Sequence, residues 1–162
     1  MSTPPMLRQM RHDVWATQML LERCRSLTKE QLQLTALGTY GTIQETFAHI
    51  VRANEGYLNT YGLIPQPFIE LTAPIDEIAS RLARVRDAVE QLFKSKEYDF
   101  DRRIRDERRK AELELWVPLA QFSHHGSDHR SQICTILTLN GLDVPDLDVW
   151  AYAVAEGSFA RF

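Results

Sequence analysis

His125 and His129 stand four residues apart in the segment His125-Gly-Ser-Asp-His129. On a helix, two imidazoles at that spacing project from one face on adjacent turns. They can approach a single ion at ~2.0–2.1 Å each. A neutral imidazole nitrogen suits zinc, nickel, copper or iron. Gly126 stands where the H-E-x-x-H motif carries its glutamate, so the general base of that protease motif is missing. Phe122, Ile133 and Ile136 share the face and turn the pair toward a core. There an unpaired polar group costs ~1–3 kcal/mol. A shared metal satisfies both rings at once; carboxylate or water partners would satisfy them separately.

His49 is the candidate third ligand. At about 100° per residue it falls beside the Ile43–Phe47–Ile50 stripe, at a groove edge rather than in mid-core. An ordinary surface histidine would look the same, and only the fold can bring it to the pair. Gln132 lies almost in line with His125 and His129, where a site role and a packing role are equally open. Asp128, Glu45 and Asn54 are candidates for orienting a ligand imidazole. Arg130 points off that line and reads as a surface or interface ion pair. His124 reads as structural or exposed, and His12 as a helix-surface residue rather than a fourth ligand.

These residues need long helices to hold them. A first helix begins near Pro4 or Pro5, with Leu7, Met10, Val14, Leu21 and Cys24 at helical spacing. Thr28 with Gln31, and Thr42 with Glu45, are capping-box signatures. The second pair opens a helix with Ile43, Phe47, Ile50, Asn54, Leu58 and Tyr61 on one face, ended by Gly62. Leu37 to Gly41 reads as a loop. A third long helix starts around Thr72 to Pro74 and carries the seam Ile75, Ile78, Leu82, Val85, Val89 and Leu92. Between 99 and 117 the pattern alternates, which predicts a short β-hairpin. Pro118 restarts a helix through His125 and His129 to Gly141, and Asp146 or Asp148 caps a short last helix. The fold class is all-α, a four-helix bundle in one domain over residues 1–162.

At 162 residues, with a net charge of −3 and a pI near 5.9, the chain does not fit nucleic acid as its main partner. The basic run from Arg102 to Lys110 contains Asp106 and Glu107 and reads as a solvated, self-neutralising surface. No signal-peptide pattern and no apolar run of membrane-spanning length is visible, so neither a membrane nor secretion is expected and the location is read as cytoplasmic. Cys24 and Cys134 fit reduced core thiols. Trp15, Trp116 and Trp150 read as core or interface aromatics.

The segment His125-Gly-Ser-Asp-His129-Arg130-Ser131-Gln132-Ile133 resembles the H-x-x-x-H-R-G-Q motif of the DinB-like family, metal-binding four-helix proteins that include bacillithiol and mycothiol transferases. Ser131 stands where glycine is usual. Thr42 to Ile50, ending in His49, resembles the family's second helix. Val14-Trp15-Ala16 and Leu142 to Asp148 resemble its first helix and tail. The resemblance implies a metal triad of His49, His125 and His129, a crossed bundle connectivity and a homodimer. Asp128 departs from the family's usual histidine at its place, which bears on the hydrogen bonding around the ligands.

Three histidines leave a coordination position open, the catalytic rather than the structural arrangement. Two functions follow as expectations. One is a metal-dependent enzyme, a thiol transferase or related catalyst acting on a small molecule, with a divalent ion (zinc or nickel foremost) and a low-molecular-weight thiol as cofactors. The other is a non-catalytic metal- or ligand-binding stress-response module. No acid, base or nucleophile stands out, so the catalytic residues are unassigned.

Overall fold

Prolines and capping residues set the helix boundaries. In the computed structural model, which describes residues 3–94, 99–107 and 109–160, α1 (Pro5–Cys24) starts on a first-turn proline. The short α2 (Lys29–Leu32) and the long α3 (Ile43–Asn59) each begin with both bonds of a capping box in place: Thr28 with Gln31, and Thr42 with Glu45. α4 spans Ile75–Lys94 and α5 spans Trp116–Leu139. Gly141, at φ +67°, follows the α5 cap as the left-handed residue that only glycine adopts cheaply. The carboxylate of Asp148 accepts from the Ala151 N–H and opens α6 (Val149–Ala155).

α1, α3, α4 and α5 form the bundle. α3 packs on α4 and α5, and α1 packs on the same two helices from the opposite side. α1 and α3 therefore stand diagonally, as do α4 and α5, so the chain crosses the bundle twice. This is the crossed four-helix connectivity expected. Phe47 of α3 and Phe122 of α5, both fully buried, are among the largest side chains of the core. Truncating either to alanine should cost ~3–5 kcal/mol.

The alternating stretch forms an antiparallel hairpin, β1 (Arg103–Asp106) with β2 (Ala111–Glu114). Arg103 faces Glu114 and Arg105 faces Glu112 across it, at 3.7 and 3.8 Å. The basic run thus neutralises itself on an exposed ribbon. α5 begins at Trp116, two residues before the proline expected to restart it, so Val117 belongs to the helix rather than to the strand. Proline in a first turn has no intrahelical N–H bond to lose, which lets the helix begin upstream of it.

The segment from Thr60 to Pro74 is held against α3 by polar side chains. Asn59 donates to the Ile64 carbonyl at 2.8 Å, and Gln44 donates to the Ala73 carbonyl at 3.0 Å. Arg52 donates to the Ile69 carbonyl. Fully buried Glu55 accepts from the Ile69 N–H at 2.7 Å and pairs with Arg81 at 3.2 Å. These bonds fix Phe68 and Leu71 beside α3.

α6 leans on α1 through Tyr152, whose ring lies 5.5 Å from His12 and 5.4 Å from Trp15. His12 is half-buried, with its Nε2 2.8 Å from the Leu147 carbonyl, so it clamps the tail rather than facing solvent. Trp116 and Trp150 are exposed and are not core residues. Among the described residues no helix is long and apolar enough to cross a membrane.

Candidate metal centre

The packing of α3 on α5 brings the three expected histidines together. His49 comes from the second turn of α3; His125 and His129 come from adjacent turns of α5. His49 Nε2 and His125 Nε2 are 3.0 Å apart. One nitrogen from each of the three rings lies within 4.8 Å of the others, and all three rings are half-buried. Tetrahedral bonds of ~2.0–2.1 Å separate ligand nitrogens by roughly 3.4 Å. Small ring rotations bring this set to that spacing, so the residues fit a divalent ion.

Protonation favours the same chemistry. Burial, then the neighbouring His129 and His49, push His125 down to about 4. Burial and His129 also lower His49. Both rings are therefore neutral near pH 7, the form that ligates.

Gln132 fixes the tautomer of the third ring. Its Oε1 accepts from the backbone N–H of Tyr40 at 3.0 Å, and a backbone N–H can only donate. The atom is thus the oxygen, and His129 Nδ1, 3.0 Å from it, must carry the proton. The Nε2 lone pair of His129 is left for a metal. Gln132 thus bonds one of the three rings directly, the usual way a protein orients an imidazole that binds metal.

The other candidates take different places. Glu45 closes the capping box, accepting from the Thr42 N–H at 3.0 Å, and does not orient an imidazole. Of the two readings of Glu45, cap and imidazole partner, the structure shows the cap. Asn54 is fully buried, yet its amide bonds no histidine among the described residues. Asp128 is exposed beside His124, at 3.6 Å, and acts on His125 only as a nearby charge.

Arg130 corrects the expectation of a surface ion pair. It is 5% exposed and reaches α1, where Nη1 donates to Asp13 Oδ1 at 2.6 Å and to Thr17 Oγ1 at 2.9 Å. α5 packs against two helices, so its buried arc is wider than the histidine stripe and includes this position. Gly126 makes the contact possible.

Four site residues were not foreseen. Tyr40, from the loop before α3, stacks on His49 with ring centroids 4.0 Å apart and meets His129 edge-on. Arg52 and Tyr57 lie three and eight residues after His49 on α3, a helical spacing that could have pointed to them. Arg109 arrives from the hairpin, and no spacing signals it. With His49 and His125, the side chains of Arg52, Tyr57 and Arg109 line a cleft of about 290 Å³. Cys24 and Cys134 are free thiols lying elsewhere, both made less acidic by burial, Cys24 up to about 12. Neither is an activated nucleophile.

Comparison with curated protein sequences gives no match. A DinB-like protein from Bacillus cereus has a similar structure, with 24% sequence identity and a TM-score of 0.70 over 87% of this chain and 94% of that one. That likeness is one of fold. The sequence profile of the DinB family matches residues 1–158, nearly the whole chain and all three histidines. The chain belongs to the DinB family.

Proposed function

We propose that this protein is a divalent-metal-dependent enzyme acting on a small molecule, with a low-molecular-weight thiol as cofactor or co-substrate. The observation that carries the reading is the convergence of three half-buried imidazoles, His129 in a fixed tautomer and His49 and His125 at the wall of an open cleft. His49, His125 and His129 would hold the ion, zinc or nickel by the preference of nitrogen sites. A divalent ion supplies Lewis acidity toward a water or a thiol. The protein's own contribution is to keep the His49 and His125 imidazoles neutral, to orient His129 through Gln132, and to wall the site with Tyr40 and Tyr57.

Untagged protein should contain one equivalent of metal by elemental analysis, and His129→Ala should lose most of it. Equal metal in both would refute a specific triad. Metal-loaded protein incubated with monochlorobimane and a panel of thiols should show metal-dependent conjugation. Turnover with none of them would remove the transferase reading.

A second reading is a non-catalytic metal- or ligand-binding module. It is favoured by the engagement of Glu45 in a cap and of Asp128 with His124, which leaves neither carboxylate against the rings. A site whose ion exchanges no ligand with solvent would support it.

We read the protein as a cytoplasmic homodimer with no nucleic-acid or membrane partner. Two free cysteines and the net charge of −3 support the location and the partner class. The exposed Val149, Trp150 and Val154 of α6, with Phe159, support association of copies. Light scattering at micromolar concentration should give twice the monomer mass.

A further inference from the structure

The cleft beside the histidines has an unbalanced charge. Arg52 and Arg109 line it together with Tyr57, Phe68, His49 and His125, and among the described residues no carboxylate lines it. Two other basic clefts bring their own acids: Arg11 and Arg86 sit with Glu90 and Glu156, and Arg105 and Lys110 sit with Glu107 and Glu112. In a chain with net charge −3 the lining of this cleft is thus basic, with Asp106 countering Arg109 from outside the lining.

The two guanidiniums are held differently. Arg52 donates one N–H to the Ile69 carbonyl, and among the described residues no carboxylate pairs with it. Arg109 pairs with Asp106 at the hairpin turn. Each guanidinium has five N–H donors in a planar fork, so donors remain on both.

We propose that this cleft is the substrate subsite and that its occupant carries an oxyanion, a carboxylate or phosphate, held by Arg52 and Arg109. The apolar part of the molecule lies against Phe68 and Leu71, and its reactive end lies against His49 and His125. This rests on the metal reading above for the reaction, but the oxyanion contact itself needs only the arginines. Charge-assisted, forked hydrogen bonds to such a group are among the stronger polar contacts a protein makes.

The test is a ¹H–¹⁵N NMR titration of the full chain, zinc-loaded and metal-free, following the Nε–H signals of Arg52 and Arg109. The probes are 3-mercaptopropionate, its neutral amide and methyl phosphate. On zinc-loaded protein the acid should bind at least tenfold tighter than the amide, and the stronger of acid and methyl phosphate identifies the oxyanion. Arg52→Gln should bring the acid-to-amide ratio toward one without changing zinc content. If Arg52→Gln does not fold, Arg109→Gln, on the exposed turn, should lower the ratio severalfold. Equal binding of acid and amide, or a ratio unchanged in the variants, overturns the proposal. If zinc does not bind but the acid still shifts Arg52, the metal reading fails and the oxyanion subsite stands. If zinc binds and the acid shifts neither arginine, the subsite fails and the metal reading stands.

Discussion

Gly126 and Asp13 meet where α5 crosses α1: a Cβ built on Gly126 would fall 2.3 Å from Asp13 Oδ1 and 2.7 Å from Arg130 Nη1. The glycine lies inside the His125–His129 turn, so the absence of a side chain there lets the histidine helix approach α1.

Gly126→Ala should therefore destabilise the fold by roughly 1–3 kcal/mol, the usual cost of overpacking. Helix propensity alone would give about 1 kcal/mol of the opposite sign. Urea denaturation decides between them, and a stabilised variant would show that the contact yields at little cost.

Asp13 gives a pH signature. Burial pushes its carboxyl up from 3.8 to about 6 despite the bonded Arg130. Between those values the folded protein holds a proton that the unfolded chain releases. This group's contribution to stability is thus largest below about pH 4, declines as pH rises to about 6, and is level above. The swing is of order 3 kcal/mol at about 1.4 kcal/mol per unit. Wild type should lose stability relative to Asp13→Asn across that window. A difference that is flat, or that grows with pH, would mean that Arg130 rather than burial governs the carboxyl.

Gln132→Leu removes the acceptor that fixes His129. Loss of such a partner lowers metal affinity by roughly 10–100-fold. Competition against a chromophoric chelator measures it, and an affinity within twofold of wild type would assign Gln132 to packing alone.

Glu45→Ala should do the reverse. Opening the capping box of α3 should cost about 1 kcal/mol, in the range of capping losses, and leave metal affinity within a fewfold of wild type. A tenfold loss of metal at unchanged stability would restore the residue to the site.

Most of the framework was legible because local chemistry wrote it. Pro5, the Thr28 and Thr42 capping boxes, Gly141 and Asp148 each mark a boundary through a bond or a backbone angle that depends on neighbours alone. The three histidines were legible through spacing and through resemblance. What was missed depended on contacts between distant elements. Arg130 follows His129 directly, and only the placement of α1 shows that it is buried on Asp13. Glu45 differs in being local: the sequence allowed it both as the cap of Thr42 and as a carboxylate orienting an imidazole, and its Oε2 accepts from the Thr42 N–H. Tyr40 and Arg109 come from a loop and a ribbon, where no period links them to the histidines.

His49 precedes His125 by 76 residues, and α4 and the hairpin lie between them. The three nitrogens meet only where α3 packs on α5, so an ion held by all three would favour the folded chain over the unfolded one. At a free concentration of one hundred times Kd such an ion adds about 2.7 kcal/mol to folding. Chelation would then act as a denaturant, and the supply of metal would govern how long the chain survives proteolysis, before any reaction takes place.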